Sequence, residues 1–300
     1  MSAPNGGYAY AEQVGPTAVG RTVLAHLAER HRHSTAADWS RRVAAGEVEL
    51  DGKVAAVADR LRAGQRLVWH RPPWREPAAP LDFAVLHADA DVLVVAKPRG
   101  LPTMPAGGFF THTLQWQVQR RYADAVPAHR LGRGTSGLVV FARSARARRG
   151  LPAAWQTGSV ERVYRGLVRG VVQDQPQDEL VVTTPIGLVP HALLGSVHAA
   201  RPDGKPARST VRVLRRDHDV TLVEIEIATG RPDQIRIHLA AAGHPLVGDA
   251  FYAVGGVPHA ASRALPGDGG YRLHATRLGF PHPAGTGQVV VECPPPAELR

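Results

Sequence analysis

Gly132-Arg133-Gly134-Thr135-Ser136-Gly137 is a literal G-x-G-x-x-G, a spacing that can bring backbone N–H groups onto a phosphate. The dinucleotide version needs a strand before the glycines and a helix opening within them. Here the next residues, Leu138-Val139-Val140-Phe141-Ala142, read as a strand, which excludes a nicotinamide or flavin site. Two readings of the loop stay open. It is a phosphate-contacting turn flanked by Arg130 and Arg133, or its glycines simply permit positive φ. Cys293 is the sole cysteine, so neither an internal disulfide nor a thiolate metal site can form.

Charge adds to this picture. Thirty-six Lys and Arg against 26 Asp and Glu leave +10, which points to a polyanionic partner. Only Lys53, Lys97 and Lys205 are lysines, leaving 33 arginines, whose planar fork suits phosphates and base edges. A GC-rich genome choosing arginine codons accounts for that bias equally well. Position is more telling: between Arg120 and Arg169 eleven arginines stand against Asp124 and Glu161, a net +9, which predicts a concentrated basic face.

The elements that must hold these residues fall into two groups, with no internal repeat. Residues 1–16 lack periodicity and are expected to form a loose tail. Residues 17–71 form a small unit. Arg21 to Glu29 places Val23, Leu24 and Leu27 on one helical face, and Thr35 with Asp38 resembles a capping box opening a helix to Ala45 that Gly46 stops. Val48 and Leu50 then alternate with glutamates, Asp51-Gly52 is a hairpin signal, and Arg66 to Trp69 reads as the returning strand. Residues 72–80, proline-rich, form a linker. Residues 81–300 read as strands (Val92–Ala96, Leu138–Ala142, Tyr164–Arg169, Ser209–Leu214, Val220–Ile227, Gln288–Glu292) with helices at Leu114–Tyr122 and Gln234–Ala242. Without βαβ alternation, the expected class is α+β with a mixed, mainly antiparallel sheet. No apolar run is long enough for a membrane span. The amino terminus shows neither a basic leader nor an apolar stretch, so cytoplasmic residence is expected.

Five segments in order resemble the RluA-like RNA pseudouridine synthases. They are Val94-Val95-Ala96-Lys97-Pro98 with Gly100-Leu101; His129-Arg130-Leu131 with Thr135-Ser136-Gly137-Leu138; and Glu161 to Gly170, which is similar to the stretch holding that family's active-site tyrosine. Thr229-Gly230-Arg231 leading through Gln234-Ile235-Arg236-Ile237-His238-Leu239 to Gly248-Asp249, and Leu273-His274-Ala275 with Leu278 to Pro283, complete the set. The front unit resembles, more loosely, an S-four-type RNA-binding domain. The resemblance implies isomerisation of uridine in RNA, ribosomal or transfer, by a monomer that extrudes its target base. It needs no nucleotide cofactor and no metal. Tyr164 would pack on the extruded base and accept the C5 proton, or be a half-buried strand aromatic. Arg236 would pair with the catalytic carboxylate and keep it ionised, or be a solvated helix arginine. Arg130, Arg133 and Arg231 would contact RNA, His129 would contact RNA or fix its loop, and Lys97 would touch phosphate or be a surface lysine. The fifteen histidines, His31 and His33 included, show no metal-binding spacing and read as solvated, RNA-facing groups.

At one position the chain departs from the resemblance. The family's nucleophile is an aspartate directly after His-Arg-Leu, and Gly132 stands there; the next acidic position is Gly134, so the loop from His129 to Gly137 carries no carboxylate. Where the family has Thr-His before Gln-Ile-Arg, this chain has Pro232-Asp233. Asp233 is therefore a candidate replacement nucleophile or general base. Equally, it is a helix N-terminal acid favoured by the macrodipole. A catalytically silent RNA-binding paralogue is the alternative function, and Asp249 is expected to cap a turn.

Overall fold

The computed structural model describes residues 3–31, 34–173 and 179–300, and separates into two units, Met1–Glu76 and Pro77–Arg300. His33 and the first two residues lie outside the described residues.

The first unit contains β1 (Tyr8–Gln13), α1 (Val23–Arg30), α2 (Ala36–Ala44), β2 (Val48–Leu50), β3 (Lys53–Val54) and β4 (Arg66–Arg71). Its antiparallel sheet runs β1-β4-β2-β3. Thr22 caps α1, and Thr35 with Asp38 forms a full capping box on α2. Asp51 and Gly52 both take positive φ (52° and 78°), the backbone a two-residue turn between right-twisted strands requires. Val23, Leu27, Trp39, Val43, Leu67 and Trp69 close over one core. The expectation of a loose tail over residues 1–16 is corrected here. Tyr8–Gln13 pairs along β4, with Tyr10 opposite Trp69 and stacked on it at 5.3 Å. The Tyr-Ala-Tyr-Ala-Glu-Gln stretch hides its strand because backbone pairing, the Tyr10–Trp69 contact and the pairing of Glu12 with His26 and Arg30, rather than an apolar face, hold it.

The second unit adds β5 (Ala84–Ala88), β6 (Val92–Lys97), α3 (Leu114–Gln119), β7 (Val126–Pro127), β8 (Thr135–Ala142), α4 (Ala145–Gln156), β9 (Glu161–Arg169), β10 (Glu179–Val182), β11 (Ile186–His191) and β12 (Gly195–Ala200). There follow β13 (Ser209–Asp217), β14 (Val220–Ile227), α5 (Gln234–Ala241), β15 (Tyr252–Ala253), β16 (Val257–Pro258), β17 (Leu273–Pro281) and β18 (Gln288–Glu292). Among the described residues one mixed sheet runs β10-β13-β14-β9-β17-β8-β6-β5, with β18 beside β17 and β7 beside β8. Its pairs are antiparallel except β17 against β8. The α+β reading with a mainly antiparallel sheet holds. No helix among the described residues is long and apolar enough to cross a membrane.

Two features of this unit position the site. First, β8 is buried along its whole length, and its first residues pair with Leu273, His274 and Ala275 of β17. Second, α5 is buried from Gln234 to Ala240, because the main core takes Ile235 and Leu239 while a second core, with Ile186 and Val197 of the β11–β12 hairpin, takes Ile237 and Ala240. A helix enclosed on both sides carries its polar residues inside too.

Gly137 has φ of 106°, and a Cβ there would lie 2.2 Å from the Ala275 carbonyl oxygen. Gly137→Ala is expected to cost about 4 kcal/mol or more in urea unfolding. Gly150→Ala, in the interior of α4 where the nearest contact is an ordinary 3.6 Å to Pro283, is expected to be neutral or stabilising by up to about 1 kcal/mol.

Candidate active site

Arg236 projects from α5 and is 3% exposed. Its Nε and Nη2 donate to the two carboxylate oxygens of Asp249 (2.7 and 2.9 Å), while Nη1 donates to Pro266 O (2.7 Å) and to Asp233 Oδ1 (3.1 Å). The guanidinium also lies over the rings of Tyr271 (4.4 Å) and Tyr252 (4.8 Å). Burial opposes its charge, but the Asp249 hydrogen bonds and the Asp233 charge outweigh that and push its pKa up. Arg236 is therefore a buried, carboxylate-paired arginine rather than a solvated one, and its main partner is Asp249. That aspartate also accepts from the Phe251 and Tyr252 amides, so it caps the anticipated turn as well.

Asp233 occupies the N-cap of α5 in the left-handed region (φ 53°) and makes no side-chain capping bond. Its carboxylate turns to Arg236 instead. Oδ2 lies 3.4 Å from the Tyr252 hydroxyl, which donates at 2.8 Å to His198 O, so this oxygen keeps accepting capacity. The Asp233 side chain is 26% exposed, against 1% for Asp249, and is thus the solvent-facing carboxylate on Arg236. A non-glycine residue in the left-handed region stores strain that the surroundings must hold.

The loop ahead of β8 meets this cluster through Tyr271. The Tyr271 hydroxyl is 3.2 Å from Thr135 Oγ1, and the ring is 1% exposed. A Cβ at Gly132 would lie 2.6 Å from the Tyr271 hydroxyl, and one at Gly134 would lie 2.6 Å from its Cε1. The phenol fills the space that side chains at these two positions would need. The two glycines and the tyrosine form one packing solution. Sequence reasoning missed Tyr252 and Tyr271, since nothing local links Tyr271 to a loop more than 130 residues earlier.

The remaining sequence-predicted residues divide. Lys97 is corrected: at 1% exposure it touches no phosphate, and its ammonium donates to the carbonyls of Pro98 (3.0 Å), Leu101 (2.7 Å) and Arg133 (3.4 Å). Burial, helped by Arg99, brings its pKa down to about 7. Beside it, Gly100 N donates to the same Arg133 carbonyl at 2.8 Å, so Lys97 clamps the glycine loop from behind. His129 stacks on Trp155 (5.0 Å) and accepts from Val140 N at 3.1 Å, the loop-fixing role. Arg133 donates to Gly267 O (3.0 Å) and pairs with Asp268, and Arg231 donates to Pro206 O (3.0 Å), so both tie loops together. Arg130 is exposed. Tyr164 lies on β9, buried, opposite Ala275 of β17 and Ile225 of β14. The basic stretch is only partly a face: Arg143 and Arg146 pair with Asp124 and Asp91, while Arg120, Arg121, Arg130, Arg148 and Arg149 are exposed.

Two outcomes follow. Gly132→Asp is expected to lower stability by about 2–4 kcal/mol because the rigid, enclosed Tyr271 ring must move, and Tyr271→Ala in the same chain should relieve part of that cost, giving a coupling of about 1–3 kcal/mol in a double-mutant cycle. His129 also sets an acid response. Burial, with Arg162 adding to it, holds its pKa near about 4 rather than 6.5. The unfolded chain therefore takes up this proton first as pH falls, so its contribution is complete above pH 6.5 and disappears towards pH 4. His238 and His274 are shifted down by burial in the same direction. His129→Asn should flatten the fall in urea midpoint between pH 6.5 and 4.

With this geometry in hand, comparison with known proteins is direct. A family model described as RNA pseudouridylate synthase matches residues 91–241. An uncharacterized RNA pseudouridine synthase from Synechocystis sp. is 41% identical over 92% of this chain and 95% of its own length. The ribosomal large subunit pseudouridine synthase D of Neisseria meningitidis serogroup B (strain MC58) is 32% identical over 92% of this chain and 75% of its own. Among solved structures, human RNA pseudouridylate synthase domain containing 1 superposes with a TM-score of 0.57 at 26% identity, covering 75% of this chain and 89% of that one. The buried arginine with its carboxylates, the glycine loop and the strand tyrosine thus sit in a chain that belongs to the RluA-like family of RNA pseudouridine synthases.

Proposed function

We propose that this protein isomerises uridine to pseudouridine in structured ribosomal RNA, as a cytoplasmic monomer, and that Asp233 serves as its reactive carboxylate. The observation that carries this reading is the placement of Asp233: a strained, solvent-facing carboxylate held against a buried arginine that lies over Tyr271, the ring on which the carboxylate-free loop packs. Arg236 is fixed by Asp249, so it can offer Nη1 to Asp233 without losing its own neutralising partner.

In the reaction the C1′–N1 bond breaks, uracil turns, and C5 bonds to C1′; C5 gives up a proton and N1 gains one, so atoms balance with no cofactor. Asp233 supports the ribose side of this exchange as nucleophile or base. Tyr164 packs on the extruded base. Burial pushes its phenol up while Arg162 pulls the other way, and the net is upward, so the phenol stays protonated near neutrality. Support is therefore stronger for packing than for its accepting the C5 proton. Arg130 and its exposed neighbours line the approach for phosphates. The name of the Neisseria relative supports ribosomal over transfer RNA, and the small front unit supports a second RNA contact.

The test is Asp233→Asn, with pseudouridine read by chemical derivatisation or by release of label from C5, since the product has the substrate's mass. The variant should lose about 100-fold or more in rate while RNA affinity changes less than about threefold. Unchanged modification removes Asp233 from the mechanism. Failure of the unaltered protein to modify any cellular RNA, with binding intact, leaves the silent RNA-binding reading.

A further inference from the structure

Arg162 is the second deeply buried arginine among the described residues, and its surroundings are the reverse of those of Arg236. β9 alternates strictly, which places Arg162 and Tyr164 side by side on the buried face. Arg162 is 7% exposed, yet no carboxylate among the described residues pairs with it. Its one hydrogen bond runs from Nη2 to Ala228 O at 3.2 Å. Nε is enclosed with no acceptor at all. The adjacent acid, Glu161, points to the other face and pairs with Arg277. Nη1 faces Gly230, where an added Cβ would come within 2.9 Å, so the glycine keeps the approach to the guanidinium open.

A buried cation without a counter-charge is costly even after the surroundings relax. Arg236 shows how this fold neutralises a buried arginine: two carboxylates and a carbonyl. Arg162 has one carbonyl and no carboxylate among the described residues. Its charge acts on Tyr164, the group expected at the substrate, and on His129, which fixes the neighbouring loop.

Building on the reading that Tyr164 packs against an RNA base, we propose that Arg162 is the receptor for a backbone phosphate of the strand whose uridine lies on Tyr164, the RNA supplying the anion that the protein withholds. Arg162 is then a binding residue adjoining the catalytic groups. The exposed glycine at 230 is the side from which a phosphate would meet Nη1.

The experiment compares the full chain with R162M and R162Q, using an RNA hairpin that carries one unpaired uridine in its loop. Affinity is measured from 50 to 300 mM KCl, and thermal midpoints are taken without RNA. One lost phosphate contact should weaken binding about tenfold at the low-salt end and reduce the slope of log K against log salt by about 0.7–0.9. The thermal midpoint should stay level or rise, because an uncompensated charge has been removed. R162K should restore the slope. An unchanged slope overturns the proposal, including the case where affinity falls, which would mark a contact to a neutral base carbonyl. A lowered midpoint with unchanged binding, or failure of both neutral variants to fold, makes the guanidinium structural and overturns it too. Pseudouridine formation by the unaltered protein is scored separately, so a silent enzyme and a phosphate-blind Arg162 give different results.

Discussion

The bidentate grip of Asp249 on Arg236 is the constraint from which the rest of the site follows. A guanidinium at this depth is tolerated only if its charge and donors are matched, and both oxygens of one carboxylate do most of that work. Because α5 is enclosed on both sides, Arg236 has one direction in which to extend, and Tyr252 and Tyr271 wall that direction with aromatic faces. The second carboxylate, Asp233, is then free to be the imperfectly buried one. Two acids divide two tasks: Asp249 neutralises the arginine, and Asp233 keeps its carboxylate towards solvent.

Seen this way, Gly132, Gly134 and Tyr271 are linked by volume. The loop bears no side chain at the two positions where the family resemblance places acids, and an enclosed phenol takes up the room. The phenol in turn lies beneath Arg236 and reaches Thr135, tying the loop to α5. Lys97 holds the same loop from behind through carbonyl oxygens. The loop is thus braced on two sides by groups that never meet solvent, a rigid support of the kind a positioned reaction requires.

Much of the architecture was legible in local patterns. Thr35 and Asp38 announced a capped helix, Asp51-Gly52 a turn, and the alternating or continuous apolar runs of β6, β8, β13 and β14 their strands. Helix α4 was hidden, because Gly150 and Pro152 interrupt its pattern although Ser144 caps its start. The site was legible in its residue types and much less in their roles. Arg236 and Asp233 are three apart on one helix, so their pairing is a local matter. The position of Lys97 beneath a loop 36 residues away, and of Tyr271 against a loop 136 residues away, is set by sheet order, which no short window contains. Arg162 was the avoidable omission: the period-two rhythm of β9 already placed it on the face of Tyr164.

The one parallel pairing in the sheet carries a kinetic corollary. Ser136 and His274, hydrogen-bonded across β8 and β17 at 2.8 Å, are 138 residues apart in the chain. During synthesis the glycine loop leaves the ribosome long before the strand that seats it. Closing so large a loop is slow relative to forming hairpins. The glycine loop is therefore among the last parts of the second unit to be seated, and a nascent chain lacking β17 carries every arginine of the basic stretch before the strand that fixes the loop exists.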